Sequence, residues 1–379
     1  MHARSRTLLP IAVAIALIFT LASPQTALAS SSSGSWFQGF ERNTSGWFSV
    51  SGGTIYRVPS YYVSSGYASG IPSSSGRYHA RLGKDPNPDT CVFGGGTALI
   101  YRGPSTDFGG PRATFPTGGY QTDLDIYLDV TWAQSHPDSR FDWDSANNVR
   151  DYIFNAGTDP LGFVISASNN GDRCSSFPAN PGRAPQHVTV SGWYTFEHVF
   201  TAGPGGLITV AMRIIQRSTG QTVASWTLVG GETTAQGGGW QYGWFVQNEI
   251  PELAVDNTFR SVLCRQGDGD GDFEDRDGHK HHAKFHGDGC ENGSGDVEDD
   301  DDDGGHHFHS SSVTATTFAT DEDGQTMTIV GTGLDDGVPV GFTFTAIDFN
   351  GLIPATYTLT LTDGRVVIGT LTSGAVAID

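Results

Sequence analysis

The chain has 379 residues, of which 16% are charged and 51 are glycine. Few charges combined with abundant glycine are typical of many short strands joined by turns, so the composition disfavours a helical bundle and a nucleotide-binding α/β enzyme. The formal net charge of −20 at pH 7 excludes nucleic acid as a default partner, because binding to phosphates needs a positive surface.

Residues 1–29 have the three parts of a secretory signal peptide. Arg4 and Arg6 form a positively charged start. Residues 8–22 are mostly apolar, and residues 27–29 (Ala-Leu-Ala) are a small-x-small cleavage motif. The apolar stretch is short for a membrane-spanning helix, which needs about 20 residues. We therefore expect cleavage before Ser30, a secreted extracellular protein, and no membrane span after cleavage.

The four cysteines of an exported chain can form disulfides, because they fold in an oxidising compartment. Four cysteines allow three connectivities. We favour one bond between Cys91 and Cys174, inside the first globular region, and another between Cys264 and Cys290. The alternative is a metal-binding set of thiols, but the sequence has no C-x-x-C spacing to support it.

Residues 34–262 have the patterns of one-sided strands. From 122 to 132 an apolar residue recurs at every second position, as in a strand with one buried face. The residues between them are Asp123, Asp125, Tyr127 and Asp129. Other alternating segments are residues 194–201, 207–216 and 222–229. Two sheets packed face to face bury such strands, so the sequence predicts an all-β sandwich.

Short motifs mark both ends of this region. They are FE at 40–41 with GW at 46–47, SGRYHARL at 75–82 and ELAVDN at 252–257. This opening and closing pair resembles concanavalin-like extracellular domains, a group that includes laminin-G-like, MAM-like and carbohydrate-binding modules. The resemblance implies a jelly-roll β-sandwich whose first and last strands lie side by side.

Residues 265–310 differ in composition from the rest of the chain. They contain 15 acidic residues against four basic ones, and seven of the 12 histidines. Such a stretch cannot bury enough apolar surface to fold alone, so we expect an acidic, histidine-containing low-complexity linker. The alternative is that Phe285-His286-Gly287 and the Asp run are degenerate first strands of the module that follows.

Residues 311–379 return to strands rich in Thr and Val. The motifs here are FHSSSV at 308–313, IVGTG at 329–333, FTFTAID at 342–348 and IGTLTSG at 368–374. They resemble a small β module named post-COAP, found at the C-terminus of exported bacterial proteins. The resemblance implies export and a small C-terminal β domain.

The first candidate site is the acidic row Asp123, Asp125 and Asp129. Alternating carboxylates on one strand face resemble the catalytic strand of retaining glucanases with this fold, which need an acid and a nucleophile about 5–5.5 Å apart. The family pattern has two glutamates flanking an aspartate. This row contains no glutamate, and Tyr127 stands in place of the third carboxylate. A polar face that contacts a ligand and a merely solvated face are the other interpretations.

An exposed aromatic ring is the second candidate feature, because sugars stack on such rings. Trp143, between Asp142 and Asp144 in a predicted loop, is the best candidate, followed by Tyr127. Trp132 and Trp226 are predicted to be core residues, since both lie on apolar strand faces.

Two places are candidates for Ca²⁺, which prefers carboxylate oxygens. Glu41 and Asp256 are expected on the first and last strands, where binding modules of this kind hold a structural ion. Asp268, Asp270 and Asp272 open an EF-hand-like loop, although Phe273 and His279 replace the glycine and the bidentate glutamate of that loop. Solvated carboxylates are the alternative at both places. The seven histidines nearby suit Zn²⁺, Ni²⁺ or Cu²⁺.

The sequence therefore predicts a secreted, non-catalytic recognition module for carbohydrate or a surface glycan. One alternative is a structural or adhesive surface protein whose acidic linker takes up Ca²⁺. A less favoured alternative is a glycoside hydrolase. No nucleophile arrangement, phosphate loop or dinucleotide motif is found in the sequence.

Overall fold

The structure is a computed structural model that describes residues 35–49, 53–84, 103–169, 183–290, 294–301 and 305–378. The predicted signal peptide and the predicted Cys91–Cys174 bond lie outside the described residues. Within them the protein is all-β, with strands numbered here along the chain. No helix in the described residues is long and apolar enough to cross a membrane.

Eight antiparallel strands form the first sheet, sheet A. They are β1 (Ser35–Gln38), β3 (Ile55–Pro59), β4 (Tyr78–Leu82), β6 (Tyr120–Leu128), β11 (Gly192–Ala202), β12 (Leu207–Gln216), β13 (Thr222–Thr233) and β15 (Leu253–Val262). Their order is β13-β12-β11-β6-β15-β4-β3, with β1 also paired to β15. The first and last strands of this region therefore lie side by side, as the resemblance implied.

Seven antiparallel strands form the second sheet, sheet B. They are β2 (Trp47–Ser49), β5 (Pro104–Thr106), β7 (Arg140–Asn147), β8 (Asp151–Asp159), β9 (Gly162–Asn169), β10 (Gln186–Val188) and β14 (Trp240–Asn248). Their order is β10-β9-β8-β7-β14-β5-β2. Apolar faces of the two sheets pack together. Phe196 of sheet A, for example, meets the rings of Phe141 and Phe154 of sheet B edge to face, an arrangement worth about 0.5–1.5 kcal/mol beyond area burial.

The strand predicted over residues 122–132 is shorter in the structure. β6 ends at Leu128, and helix α1 (Val130–Ser135) follows. The carboxylate of Asp129 accepts a hydrogen bond from the backbone N–H of Trp132 at 3.0 Å, which satisfies one of the unpaired amides at a helix start. The alternation of apolar residues in the sequence thus continues beyond Leu128, where the strand ends. A second helix, α2, spans Thr234–Gly237, and a 3₁₀ turn spans Pro204–Gly206.

Residues 266–378 form a closed barrel of eight antiparallel strands in chain order. They are β16 (Gln266–Asp275), β17 (Lys280–Asp288), β18 (Ser294–Asp301), β19 (His307–Thr320), β20 (Gln325–Asp335), β21 (Val338–Asp348), β22 (Thr356–Leu361) and β23 (Val366–Ile378). β23 pairs with β16 and closes the barrel. Rings including Phe273, Phe285, Phe344 and Tyr357 fill the interior.

The prediction of an acidic linker at residues 265–310 is therefore wrong. These residues contain three barrel strands, in agreement with the alternative interpretation. The inward positions of β16 are Gly267, Gly269, Gly271 and Phe273, and a Cβ atom on Gly269 would collide with the Phe285 ring. The glycines leave room for rings from neighbouring strands. Phe273 is the single large apolar residue on this face, so the strand lacks the repeated apolar residues by which a buried face is usually recognised.

Covalent and polar contacts join the sandwich to the barrel. The disulfide Cys264–Cys290 links the end of β15 to the connection between β17 and β18, which confirms that predicted pair. Gln325 Oε1 accepts hydrogen bonds from Ser35 Oγ at 2.8 Å and from Arg265 Nη2 at 3.0 Å. The sandwich and the barrel accordingly belong to one unit, Ser32–Asp379.

Candidate functional site

Five side chains form one row across the outer face of sheet A. Phe37 of β1 lies opposite Phe259 of β15, which lies opposite Asp123 of β6. Asp123 in turn faces Glu197 of β11, which faces Arg213 of β12. Facing residues on antiparallel strands have Cα atoms about 4.5–5.5 Å apart. The row therefore places two aromatic rings, two carboxylates and a guanidinium side by side.

Part of this row lines a cleft of about 490 Å³ between sheet A and the barrel, named here the sandwich–barrel cleft. Its sandwich wall consists of Phe37, Glu41, Ser75, Gly76, Asp123, Asp125, Thr195, Arg217, Asn257 and Phe259. Its barrel wall is the end of β19 and the turn after it, residues 320–323. Both halves of the protein thus contribute to one site, which includes two of the predicted ligand residues.

Asp125 is buried, and its carboxylate is fully occupied by the protein. It accepts hydrogen bonds from Thr195 Oγ1 at 2.5 Å, Ser74 Oγ at 2.6 Å and Asn257 Nδ2 at 2.8 Å. Arg217 Nε lies 3.1 Å from Asp125 Oδ2. With its lone pairs used, Asp125 positions the Arg217 guanidinium and the β15 residues around the cleft.

Asp123 is the acid that the protein leaves incompletely satisfied. Its Oδ2 accepts a hydrogen bond from Gln121 Nε2 at 2.7 Å, while its buried Oδ1 has no hydrogen-bond partner among the described residues. Burial and the negative charge of Glu197 raise the pKa of Asp123 well above its usual range. Glu197 is itself paired with Arg213. Asp123 therefore lines the cleft with one buried oxygen that no described residue satisfies.

Glu41 and Asp256 each have a structural explanation that needs no cation. Glu41 Oε1 accepts hydrogen bonds from the backbone N–H groups of Arg77 at 2.7 Å and Tyr78 at 2.8 Å. Asp256 accepts three backbone N–H groups, those of Ser74, Ser75 and Asn257. Both acids hold the turn before β4. The calcium hypothesis for this pair gains no support from their geometry.

Asp268, Asp270 and Asp272 do not form the EF-hand-like loop that their spacing suggested. All three lie on the outer face of β16, where Asp268 faces His286 and Asp272 faces His282. Alternate residues on a strand are about 6.8 Å apart, so these carboxylates do not converge on one ion as loop ligands do.

The predicted ligand ring Trp143 is not exposed. It lies in β7 between the two sheets with 1% of its surface exposed, 5.9 Å from the Trp47 ring and 5.0 Å from the Phe245 ring. Tyr127 is half-buried against Trp193 and outside the cleft. Trp132 and Trp226 are partly buried and pack on the core.

The outer face of sheet B holds a second polar cluster. Asp142 accepts a hydrogen bond from Asn155 Nδ2 at 3.0 Å, and Ser168 Oγ donates to Asn155 Oδ1 at 2.6 Å. Asp144 and Ser166 lie on the same face, and all five residues are at most 3% exposed. The cluster is therefore buried, and its hydrogen bonds join Asp142, Asn155 and Ser168 across β7, β8 and β9.

Several residues of the row or of the cleft were not identified from the sequence: Phe37, Phe259, Glu197, Arg213, Arg217 and the turn at 320–323. The alternation in residues 194–201 does place Glu197 on a polar face. Its position opposite Asp123, however, depends on strand register, which a single sequence does not contain.

A scan against protein-family models finds no match for this chain, and a search of curated proteins finds none either.

Proposed function

We propose that this protein is a secreted, non-catalytic recognition module with a jelly-roll sandwich, and that the sandwich–barrel cleft binds carbohydrate. The observation that carries the proposal is the combination of the Phe37 and Phe259 rings with polar groups in one cleft. Sugars are bound by stacking their apolar faces on rings while polar side chains bond their hydroxyls. A volume of about 490 Å³ also falls within the usual range of small-molecule sites, roughly 300–1,000 Å³.

The polar groups of the cleft supply both kinds of hydrogen-bonding atom. Asp323, in the barrel wall of the cleft with 79% of its side chain exposed, is an acceptor. Arg217, with 46% of its side chain exposed, is a donor held in place by Asp125. A sugar hydroxyl both donates and accepts, so it matches this pair.

The charge of the cleft restricts the kind of saccharide. Six carboxylates line it against the single guanidinium of Arg217: Glu41, Asp123, Asp125, Asp321, Glu322 and Asp323. Burial, with the negative charge of Glu41, raises the pKa of Glu322, so the negative potential is concentrated there. We expect neutral saccharides or amino sugars, and we expect uronic-acid and sulfated glycans to be excluded.

The arrangement favours binding over hydrolysis. Asp123 does have a facing acid, Glu197, as a hydrolase would require. But Glu197 is 6% exposed, is paired with Arg213, and is absent from the cleft wall. The pair therefore does not present two accessible acids to a ligand.

The structural or adhesive alternative is weaker for a different reason. It relied on a flexible acidic linker that takes up Ca²⁺, but those residues are the barrel strands β16 to β18. The cleft, in contrast, is open and lined by aromatic and acidic residues.

The test is a glycan array of neutral, amino and acidic saccharides, followed by calorimetry on the best ligand. Phe259→Ala removes a ring from the cleft, and Phe48→Ala is the matched control, because Phe48 is 44% exposed on β2 and outside the cleft. We expect Phe259→Ala to weaken binding roughly three- to tenfold, the worth of one aromatic contact, and Phe48→Ala to have no effect. Failure of every saccharide to bind, or equal effects of the two variants, would overturn the proposal.

A further inference from the structure

A histidine and two aspartates converge at one end of the barrel, far along the chain from the cleft residues of the sandwich. His306 precedes β19, Asp335 ends β20 and Asp336 lies in the following turn. The pairing of β19 with β20 brings them together, since Phe308 faces Asp335. One ligand atom of each residue lies within 4.8 Å of the others. Among the described residues, this is the one such group of three or more His, Cys or carboxylate ligands.

Each aspartate in this group has one oxygen held by the protein. Asp336 Oδ1 accepts a hydrogen bond from the backbone N–H of His307 at 3.0 Å, and its Oδ2 lies 2.7 Å from His306 Nδ1. Asp335 Oδ1 accepts a hydrogen bond from Arg365 Nη1 at 2.8 Å. Such outer contacts orient carboxylates and imidazoles that bind metals.

We propose that His306, Asp335 and Asp336 form a binding site for a divalent transition cation of the Zn²⁺ class. One imidazole nitrogen with two carboxylate oxygens is a donor set that Zn²⁺ accepts. Ca²⁺ and Mg²⁺ prefer oxygen ligands throughout, so neither fits a site that depends on imidazole. Neutral His306, two carboxylates and the Arg365 guanidinium together carry a net charge of −1, which still attracts a dication.

The geometry requires only small movements. Bonds of about 2.0–2.2 Å to Zn²⁺ place tetrahedral ligand atoms about 3.3–3.6 Å apart. Separations of up to 4.8 Å must therefore contract, and the 2.7 Å between His306 Nδ1 and Asp336 Oδ2 must widen. The side chains of His306 and Asp336 are 49% and 43% exposed, and are free to make that adjustment. Three protein ligands leave the fourth position to water.

Another pair on the same barrel provides a matched control. His286 Nδ1 lies 2.6 Å from Asp268 Oδ1, and the His286 side chain is 39% exposed, much like the pair His306–Asp336. The His286 pair belongs to no group of three ligands among the described residues. A histidine–aspartate pair alone, without a third ligand, is thus available for comparison.

The experiment is calorimetric titration of the mature chain, made without a histidine tag, with ZnCl₂ and separately with CaCl₂. We expect one Zn²⁺ per chain, at least tenfold weaker binding in His306→Gln and in Asp336→Asn, and wild-type binding in His286→Gln. Asp336→Asn keeps an oxygen for the His307 N–H, and circular dichroism verifies the fold of each variant. Unchanged Zn²⁺ binding in His306→Gln, equal loss in His286→Gln, or Ca²⁺ binding as tight as that of Zn²⁺ would overturn the proposal.

Discussion

Asp123 and Glu197 face each other on adjacent strands of sheet A, with Asp123 beside the Phe259 ring and Glu197 beside Arg213. Arg213 compensates the charge of Glu197, while Asp123 keeps an oxygen without a partner among the described residues. A stable sheet gains nothing from this arrangement, because like charges directly opposite each other are destabilising. The raised pKa of Asp123 reflects that repulsion together with burial.

The first prediction concerns two aspartates that are neighbours on one strand face. Burial and the charge of Glu197 raise the pKa of Asp123, so ionisation at pH 7 costs folding free energy. Asp123→Asn should therefore raise the free energy of unfolding at pH 7, with the gain shrinking as the pH falls. Asp125→Asn should lower it by about 1–3 kcal/mol, because buried donors lose their charged acceptor. Urea denaturation measures the free energy of unfolding of both variants. Changes of the same sign in the two variants would contradict the roles assigned to Asp123 and Asp125.

The second prediction is acid destabilisation of the sandwich. Burial lowers the pKa of His79 and of His198 to about 3, with the charge of Arg81 adding to the effect at His79. The unfolded chain binds these protons near pH 6.5, so stability should fall as the pH drops from about 6.5 towards 3, by up to about 1.4 kcal/mol per pH unit for each histidine.

Tryptophan fluorescence reports this transition selectively, because all eight tryptophans precede the barrel in the sequence. His198→Gln should reduce the pH dependence. The barrel should respond in the opposite direction, since hydrogen bonds to Asp299 and Asp272 raise the pKa of His281 and His282. The stabilisation from these two protonated histidines is fully present below about pH 6.5. It is lost as the pH rises through their pKa values in the folded protein. If the sandwich and the barrel lost stability in parallel on acidification, the prediction would be contradicted.

The third prediction tests whether residues 266–275 are a barrel strand. Gly269→Val places a side chain against the Phe285 ring and should lower stability by about 1–3 kcal/mol, as overpacking of a core does. Asp270→Val on the outward face of the same strand should change it by less than about 0.5 kcal/mol. In a linker neither substitution would matter, so thermal melting that separates the two variants supports the barrel.

The fourth prediction concerns the disulfide Cys264–Cys290. It closes a separation of 26 residues, for which the chain-entropy relation gives a stabilisation of about 3.5 kcal/mol. The double variant Cys264→Ser with Cys290→Ser should lose about that much, with barrel unfolding affected first. A melting temperature equal to that of the parent protein would contradict a structural role for the bond.

Sequence patterns predicted those parts of the fold in which one strand face is apolar. The strands β6, β11, β12 and β13 were recognisable for this reason. The same criterion failed for β16, whose inward residues are three glycines and Phe273, because the glycines accommodate rings from other strands. It also failed at Asp129, because a polar residue that caps a helix and a polar residue on the exposed face of a strand look the same in the sequence.

The cleft was only partly predictable for a related reason. Asp123 and Asp125 were identified because they alternate along one strand. Phe259 and the turn at 320–323 reach the cleft through strand register and through the docking of the barrel on the sandwich. Both depend on contacts between residues far apart in the chain, which local patterns do not encode.

The most direct test of the proposed carbohydrate-binding cleft is hydrogen–deuterium exchange of the mature protein with and without its best array saccharide. Protection is expected on both walls at once, in residues 35–41, in the segment around Asn257 and Phe259, and in the turn at 320–323. Protection confined to sheet B or to the outer face of the barrel, or none at saturating saccharide, would contradict the account.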